Sequence, residues 1–260
     1  MQTPKSPPPA NDLMKAAAPS QPITATPAAS TEKGMAGMLC DLVKFRLTSM
    51  VLLTTAVGFY LGLRGPLRYV LLLHTLFGTA LVASGAAALN QLFEREYDAR
   101  MRRTESRPLP SGRMHPDTAL LIGAAMSALG LVYLAYFVNY LTSLLGAITL
   151  LSYLFVYTPL KRVTPLNTVI GAIPGALPPL MGWTASREFI SAEGWSLFAI
   201  LFFWQLPHFL AIAWLYREDY AKGGFVMLPV VDPQGTRTGR QAVSHTLGLL
   251  SISLFPVILG

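Results

Sequence analysis

Residues 69–112 read YVLLLHTLFGTALVASGAAALNQLFEREYDARMRRTESRPLPSG: an apolar run to Leu89, then a dense island of charge from Asn90 to Gly112. A helical run of about 20 apolar residues crosses the roughly 30 Å hydrocarbon layer of a bilayer. Continued on the same helix, Asn90, Glu94 and Asp98 fall within about 80° of one another and span roughly 12 Å, making one acidic stripe. Glu96 points the other way, with Arg100 four residues on as its expected salt-bridge partner. Asp98 can pair with Arg102, but Glu94 has no base at that spacing and repels Asp98, a conflict that a shared cation would relieve. Hard oxygen ligands beside an arginine cluster (Arg100, Arg102, Arg103, Arg107) are what a magnesium diphosphate requires: carboxylates for the metal, fixed positive charge for the phosphate oxygens. The alternative is a juxtamembrane helix whose charges only mark the cytoplasmic side, and this stretch alone leaves both open.

The whole chain supports the membrane reading. With 52% hydrophobic and 13% charged residues and a mean hydropathy of +0.46, its 260 residues are too apolar for a soluble domain, so an all-α, polytopic membrane bundle is expected. A net charge of +7 would suggest nucleic acid in a soluble protein. Here the basic residues lie between apolar runs and report orientation in a lipid bilayer, so no nucleic-acid partner is expected. The single cysteine, Cys40, excludes an intramolecular disulfide framework.

Seven spans are expected, at 47–63, 69–89, 118–138, 141–157, 167–184, 195–215 and 243–260. Residues 1–34, rich in Pro, Ala, Ser and Thr and without an aromatic residue, are expected to be a disordered tail ahead of a membrane domain over 35–260. The tail has neither the arginines of a transit peptide nor the apolar core of a signal sequence, which favours a bacterial inner membrane over a mitochondrial one. Seventeen of the 20 lysines and arginines fall on one side of this arrangement, with Arg64, Arg68 and Arg187 on the other. The positive-inside rule makes the tail and the long loops cytoplasmic. The two longest loops follow the second and sixth spans, four helices apart, which suggests a repeat of four helices and a chain one or two helices short.

The fifth span, NTVIGAIPGALPPLMGW, is broken by Gly171, Pro174, Gly175, Pro178, Pro179 and Gly182, and such a helix survives in lipid only where neighbours or a cavity satisfy its backbone. It is expected to line an interior space. The sixth, LFFWQLPHFLAIAWLYRED, places Gln205 and His208 around Pro207 inside the membrane, a candidate site or a helix–helix hydrogen bond. The loop after it supplies Glu218 and Asp219, with Lys222 behind them as a point charge for phosphate. Two acidic-then-basic loops on one face point to a diphosphate-binding enzyme. A transporter with two pseudo-repeats would also show broken helices, but its acids should lie at mid-span, not at one interface.

The run from Asn90 to Asp98 resembles the Asn-x-x-x-Asp-x-x-x-Asp motif of the UbiA superfamily of intramembrane prenyltransferases. DARMRRTESRPLPSGR (98–113), YTPLKRVTPLNTVIGAIPGALPPLMGW (157–183), WQLPHFLAIAW (204–214) and EDYAKGGFVMLPVV (218–231) are similar to its haem-farnesylating branch, the haem O synthases. The match runs from about Asp41 to the end. The resemblance implies a fold of about nine spans, and a reaction in which the farnesyl group of farnesyl diphosphate and a water hydroxyl add to the 2-vinyl group of haem b, giving haem O and pyrophosphate with magnesium. It implies that Asn90, Glu94, Asp98 and Asp219 hold magnesium and diphosphate, that Arg102, Arg103, Arg107, Lys161 and Lys222 contact phosphate, and that Gln205 and His208 lie near the acceptor. Tyr153, Tyr157, Trp204 and Phe209 are available to steady an allylic cation. It also makes a haem A synthase or an oxidase assembly protein a candidate partner. Three departures stand out: Glu94 where Asp is commoner, Leu215 where many members carry an acid four residues before Asp219, and Phe45 where proline is frequent. An enzyme of the same superfamily acting on a quinone precursor or chlorophyllide would share the acidic loops but not the WQLPHF string.

Overall fold

A computed structural model describes residues 34–259, so the expected disordered tail lies outside the described residues. Among them there are helices and no strands. A short α1 (Met35–Leu42) leads into α2 (Phe45–Gly62), followed by α3 (Tyr69–Asp98), α4 (Pro116–Phe137) and α5 (Tyr140–Leu151). After α5 the helix widens into a π-helical segment, Ser152–Tyr157, and closes as α6 (Thr158–Leu160). Then come α7 (Asn167–Arg187), α8 (Ala192–Leu215), the short α9 (Arg217–Lys222) and α10 (Leu228–Val231), α11 (Thr236–Ser253) and α12 (Phe255–Leu259).

Among the described residues six stretches are long and apolar enough to cross a membrane, with Tyr140–Leu160 and Thr236–Ile258 each counted as one. The expected fifth span, α7, is 21 residues long but is not among them, because its prolines, glycines and polar ends dilute its hydropathy. It stands instead at the centre of the bundle, touching α2, α5 and α8, with most of its side chains buried. Despite Pro174, Pro178 and Pro179 the helix is continuous. Neighbouring side chains add hydrogen bonds to carbonyls along it: Asn139 donates to the Thr184 carbonyl at 2.9 Å, and Gln205 reaches the Ala172 carbonyl at 3.5 Å.

The main apolar core joins Val82 of α3, Leu134 of α4, Leu145 and Leu150 of α5 and Leu177, Leu180 and Met181 of α7. Where α2 crosses α7, glycines bring the two backbones together. A Cβ at Gly58 would enter the Pro179 carbonyl, and one at Gly182 would enter the Thr55 carbonyl, so the two backbones touch directly. Small residues let membrane helices gain dispersion contact that larger ones would prevent. At the other end of the bundle, Gln91 is fully buried and donates to the carbonyls of Asp41 (2.9 Å) and Leu42 (2.7 Å). This ties α1 to α3 and leaves Lys44, at φ 49°, turning the chain between α1 and α2.

Gly182→Ala should therefore cost about 1–3 kcal/mol through overpacking, seen as a lower melting temperature in detergent. Gly239→Ala on α11, where a Cβ meets nothing, should be neutral or gain up to about 1 kcal/mol. Equal effects would contradict the tight crossing.

Candidate active site

One cavity of about 530 Å³ opens among α2, α3, the π-helical segment, α7 and α8, within the range of small-molecule sites. Its loop-side end is charged and its deeper part apolar. The acidic stripe forms one wall: Asn90, Glu94 and Asp98 lie on the same face of α3, and all three are buried, at 0, 4 and 1% exposure.

Each of the three meets a basic side chain from elsewhere. Lys44 Nζ donates to Asn90 Oδ1 at 2.7 Å, Lys161 Nζ to Glu94 Oε1 at 2.9 Å, and Arg107 Nη1 to Asp98 Oδ2 at 2.6 Å. The expected Asp98–Arg102 pair is replaced by Arg107, because α3 stops at Asp98 and the turns after it carry Arg102 to the surface while bringing Arg107 back. Glu94, without a base on its own helix, has one from the loop after α6. Glu96 is exposed as expected, but its ion-pair neighbour is Arg95, at 3.8 Å, and not Arg100.

Burial acts differently on the two lysines. For Lys161 it favours the neutral amine, but the Glu94 carboxylate, 2.9 Å from Nζ, outweighs it and holds the ammonium charged beyond the ordinary lysine range. For Lys44 burial prevails, helped by repulsion from Arg107, and the amine is lowered to about 7.

The other expected site residues divide. Arg103 lines the cavity, and so do Gln205 and His208 with the aromatic rings of Tyr153, Tyr157, Trp204 and Phe209. Gln205 is buried against α7, where a side chain at Gly175 would collide with its amide oxygen. His208 is stacked on Trp204, ring centroids 4.8 Å apart. Arg102, Lys222 and Asp219 are not on the cavity wall. The Asp219 carboxylate accepts the backbone N–H groups of Arg102 (3.3 Å) and Arg103 (3.1 Å), so it clamps the loop after α3 to α9.

Sequence reasoning missed Lys44 as a site residue, since it looked like any basic flank of a first span. It also missed Thr158, whose hydroxyl accepts from Asn90 Nδ2 at 3.1 Å. Pro159, which cannot donate to the preceding turn, was the one trace of the π-helical segment that places it.

The donor set fits magnesium: an amide oxygen and two carboxylates, with basic groups around them. No three of His, Cys, Asp and Glu converge among the described residues, so there is no all-protein cage. Magnesium held by one or two carboxylates and completed by substrate phosphates needs none.

A charged mouth over an apolar chamber, walled by membrane helices, defines an intramembrane enzyme for a substrate with an anionic head and a hydrocarbon body. The model of the UbiA prenyltransferase family matches residues 51–260, and the chain belongs to that family. The protoheme IX farnesyltransferase of Solibacter usitatus is 49% identical over 229 residues, 85% of this chain and 78% of that protein. The protein of the same name from Koribacter versatilis is 46% identical over 239 residues, 90% of this chain and 77% of the relative. Among solved structures, a UbiA homolog from Archaeoglobus fulgidus bound to GPP and Mg2+ superposes with a TM-score of 0.71 at 19% identity, covering 86% of this chain and 78% of that one. An apo UbiA homolog from Aeropyrum pernix gives 0.67 at 20% identity, covering 81% and 77%. These structures establish the fold.

Two measurements check the electrostatics. Lys161→Met leaves Glu94 buried without its partner and should cost about 3 kcal/mol, most of it restored by adding Glu94→Gln. For Lys44, the folded value near 7 lies below the ordinary 10.5. Between these pH values the unfolded chain holds a proton that the folded chain has released, so this residue makes stability rise with pH across that window, a gain lost again as pH falls from 10.5 to 7. From pH 7 to 9 the wild type should gain on Lys44→Met by at most about 1.4 kcal/mol per pH unit. Parallel pH profiles of the two proteins would contradict the lowered value.

Proposed function

We propose that the chain is a haem O synthase, joining the farnesyl group of farnesyl diphosphate to the 2-vinyl group of haem b. The observation that carries the reading is the cavity that sets two acid–base pairs and a lysine-bonded amide at the mouth of an aromatic and aliphatic chamber. Identity of 42–49% to relatives named protoheme IX farnesyltransferase, over most of the chain, supports haem as the acceptor. In this reading Asn90, Glu94 and Asp98 hold magnesium and diphosphate, while Asp219, off the cavity wall, holds the backbone of the loop that carries Arg103. Bound magnesium supplies charge stabilisation to the leaving diphosphate.

The chain's own residues do the rest. Arg103, Arg107 and Lys161 are already held at the mouth and offer phosphate oxygens preorganised positive charge, with Lys44 beside them as a hydrogen-bond donor. As the bond between farnesyl C1 and the diphosphate oxygen breaks, the faces of Tyr153, Tyr157, Trp204 and Phe209 shield the allylic cation from water. C1 then bonds to the terminal vinyl carbon, and the cation left beside the porphyrin ring takes the oxygen of one water, whose second proton is released. The products are haem O and pyrophosphate. Gln205 and His208, deeper along α8, are assigned to the porphyrin. The lysine and arginine distribution supports a cytoplasmic mouth in a bacterial inner membrane.

Purified protein with magnesium and farnesyl diphosphate should convert haem b to haem O and leave 4-hydroxybenzoate untouched. Asp98→Asn should lower turnover by about 10²–10³-fold and Glu96→Gln should be nearly silent, while His208→Ala should raise the KM for haem more than that for farnesyl diphosphate. Prenylated benzoate without haem product would overturn the assignment.

A further inference from the structure

An asparagine that ligates a cation must present its oxygen, and a helix face alone does not decide which end of the amide points inward. Here a chain of hydrogen bonds decides it. The Tyr153 carbonyl can only accept, and Thr158 Oγ1 lies 2.8 Å from it, so the hydroxyl spends its single proton there. What the same oxygen shows to Asn90, 3.1 Å away, is a lone pair, so Asn90 must turn its NH2 toward Thr158. Its Oδ1 is thereby directed at the cavity, where Lys44 donates to it. Asn90 and Thr158 are 0 and 1% exposed, which leaves no room for bulk water to substitute for either partner.

The π-helical segment makes this possible. The Thr158 N–H also goes to the Tyr153 carbonyl, five residues back. In an uninterrupted α-helix both groups would address Leu154 instead, about 100° further round the axis. π-bulges occur frequently at functional sites. This one turns the hydroxyl toward α3.

We propose that Thr158 is a positioning residue, holding the Asn90 amide with its oxygen toward the magnesium diphosphate. The inference rests on the reading of Asn90 as a ligand and adds what orients it. Without the hydroxyl, the amide is released to rotate its NH2 into a site that must take a cation.

Binding is measured by calorimetry, titrating magnesium into the purified full-length protein with farnesyl thiodiphosphate, an analogue that resists ionisation. Thr158→Val keeps the shape and removes the hydroxyl, and should raise the magnesium half-saturation about tenfold or more, as loss of an outer-sphere partner does. Thr158→Ser, which keeps the hydroxyl, should restore binding to near wild type. In an Asn90→Ala background Thr158→Val should add nothing further. Unchanged magnesium dependence in a folded Thr158→Val protein would overturn the proposal. So would weakened binding that Thr158→Ser fails to rescue, or that appears equally with Asn90 already removed. If Asn90→Ala itself leaves magnesium binding intact, the ligand reading has failed, and that result is separate from any obtained with Thr158 alone.

Discussion

Burying two carboxylates and an amide on one helix face beside a lipid-facing bundle is the constraint around which this molecule is arranged. Desolvating an ion costs several kcal/mol unless a partner of opposite charge is held in good geometry. The structure meets that demand from three separate places: Lys44 from the turn between α1 and α2, Arg107 from the loop after α3, and Lys161 from the loop after α6. Each partner has to be delivered by its own local fold. The buried amide of Gln91 fastens α1 so that Lys44 points inward, and Asp219 grips the backbone of the loop that carries Arg107.

The second constraint is the volume for a long hydrocarbon and its acceptor inside a helical bundle. α7 resolves it with residues that would ruin an isolated helix. Its glycines let α2 approach to backbone contact on one side and Gln205 of α8 on the other, while Pro174, Pro178 and Met181 face the cavity. Prolines leave carbonyls without intrahelical partners, and these are tolerated where protein, not lipid, surrounds them. The composition that keeps α7 from resembling a membrane span is permitted by its burial.

Much of this was legible in the sequence because it follows from periodicity. The stripe of Asn90, Glu94 and Asp98, the exposed Glu96 and the cavity-facing fifth span all depend on a repeat of 3.6 residues and on the hydropathy of each stretch. Partners across the fold were not legible. Arg102 was the expected mate of Asp98 by helical spacing, but the helix ends at Asp98 and spacing ceases to govern beyond it. Lys161 and Lys44 reach the stripe over sequence separations of 67 and 46 residues, and no local pattern encodes such contacts. The last span begins at Thr236 and not at 243, since Thr236, Arg237 and Arg240 are polar without being helix breakers.

The polar mouth and apolar chamber also impose an order on the chemistry. His208 lies seven residues before the end of α8, about 10 Å along the helix axis, so the groups assigned to the acceptor sit deeper in the bundle than the end of that helix. A cation generated between them and the mouth is bounded by the rings of Tyr153, Tyr157, Trp204 and Phe209. The fixed positive charges stand on the diphosphate side, where they favour departure of the anion and repel the carbon cation left behind. With the departing anion held by these charges, the prenyl carbon is left on the acceptor side of the chamber, away from the water at the mouth.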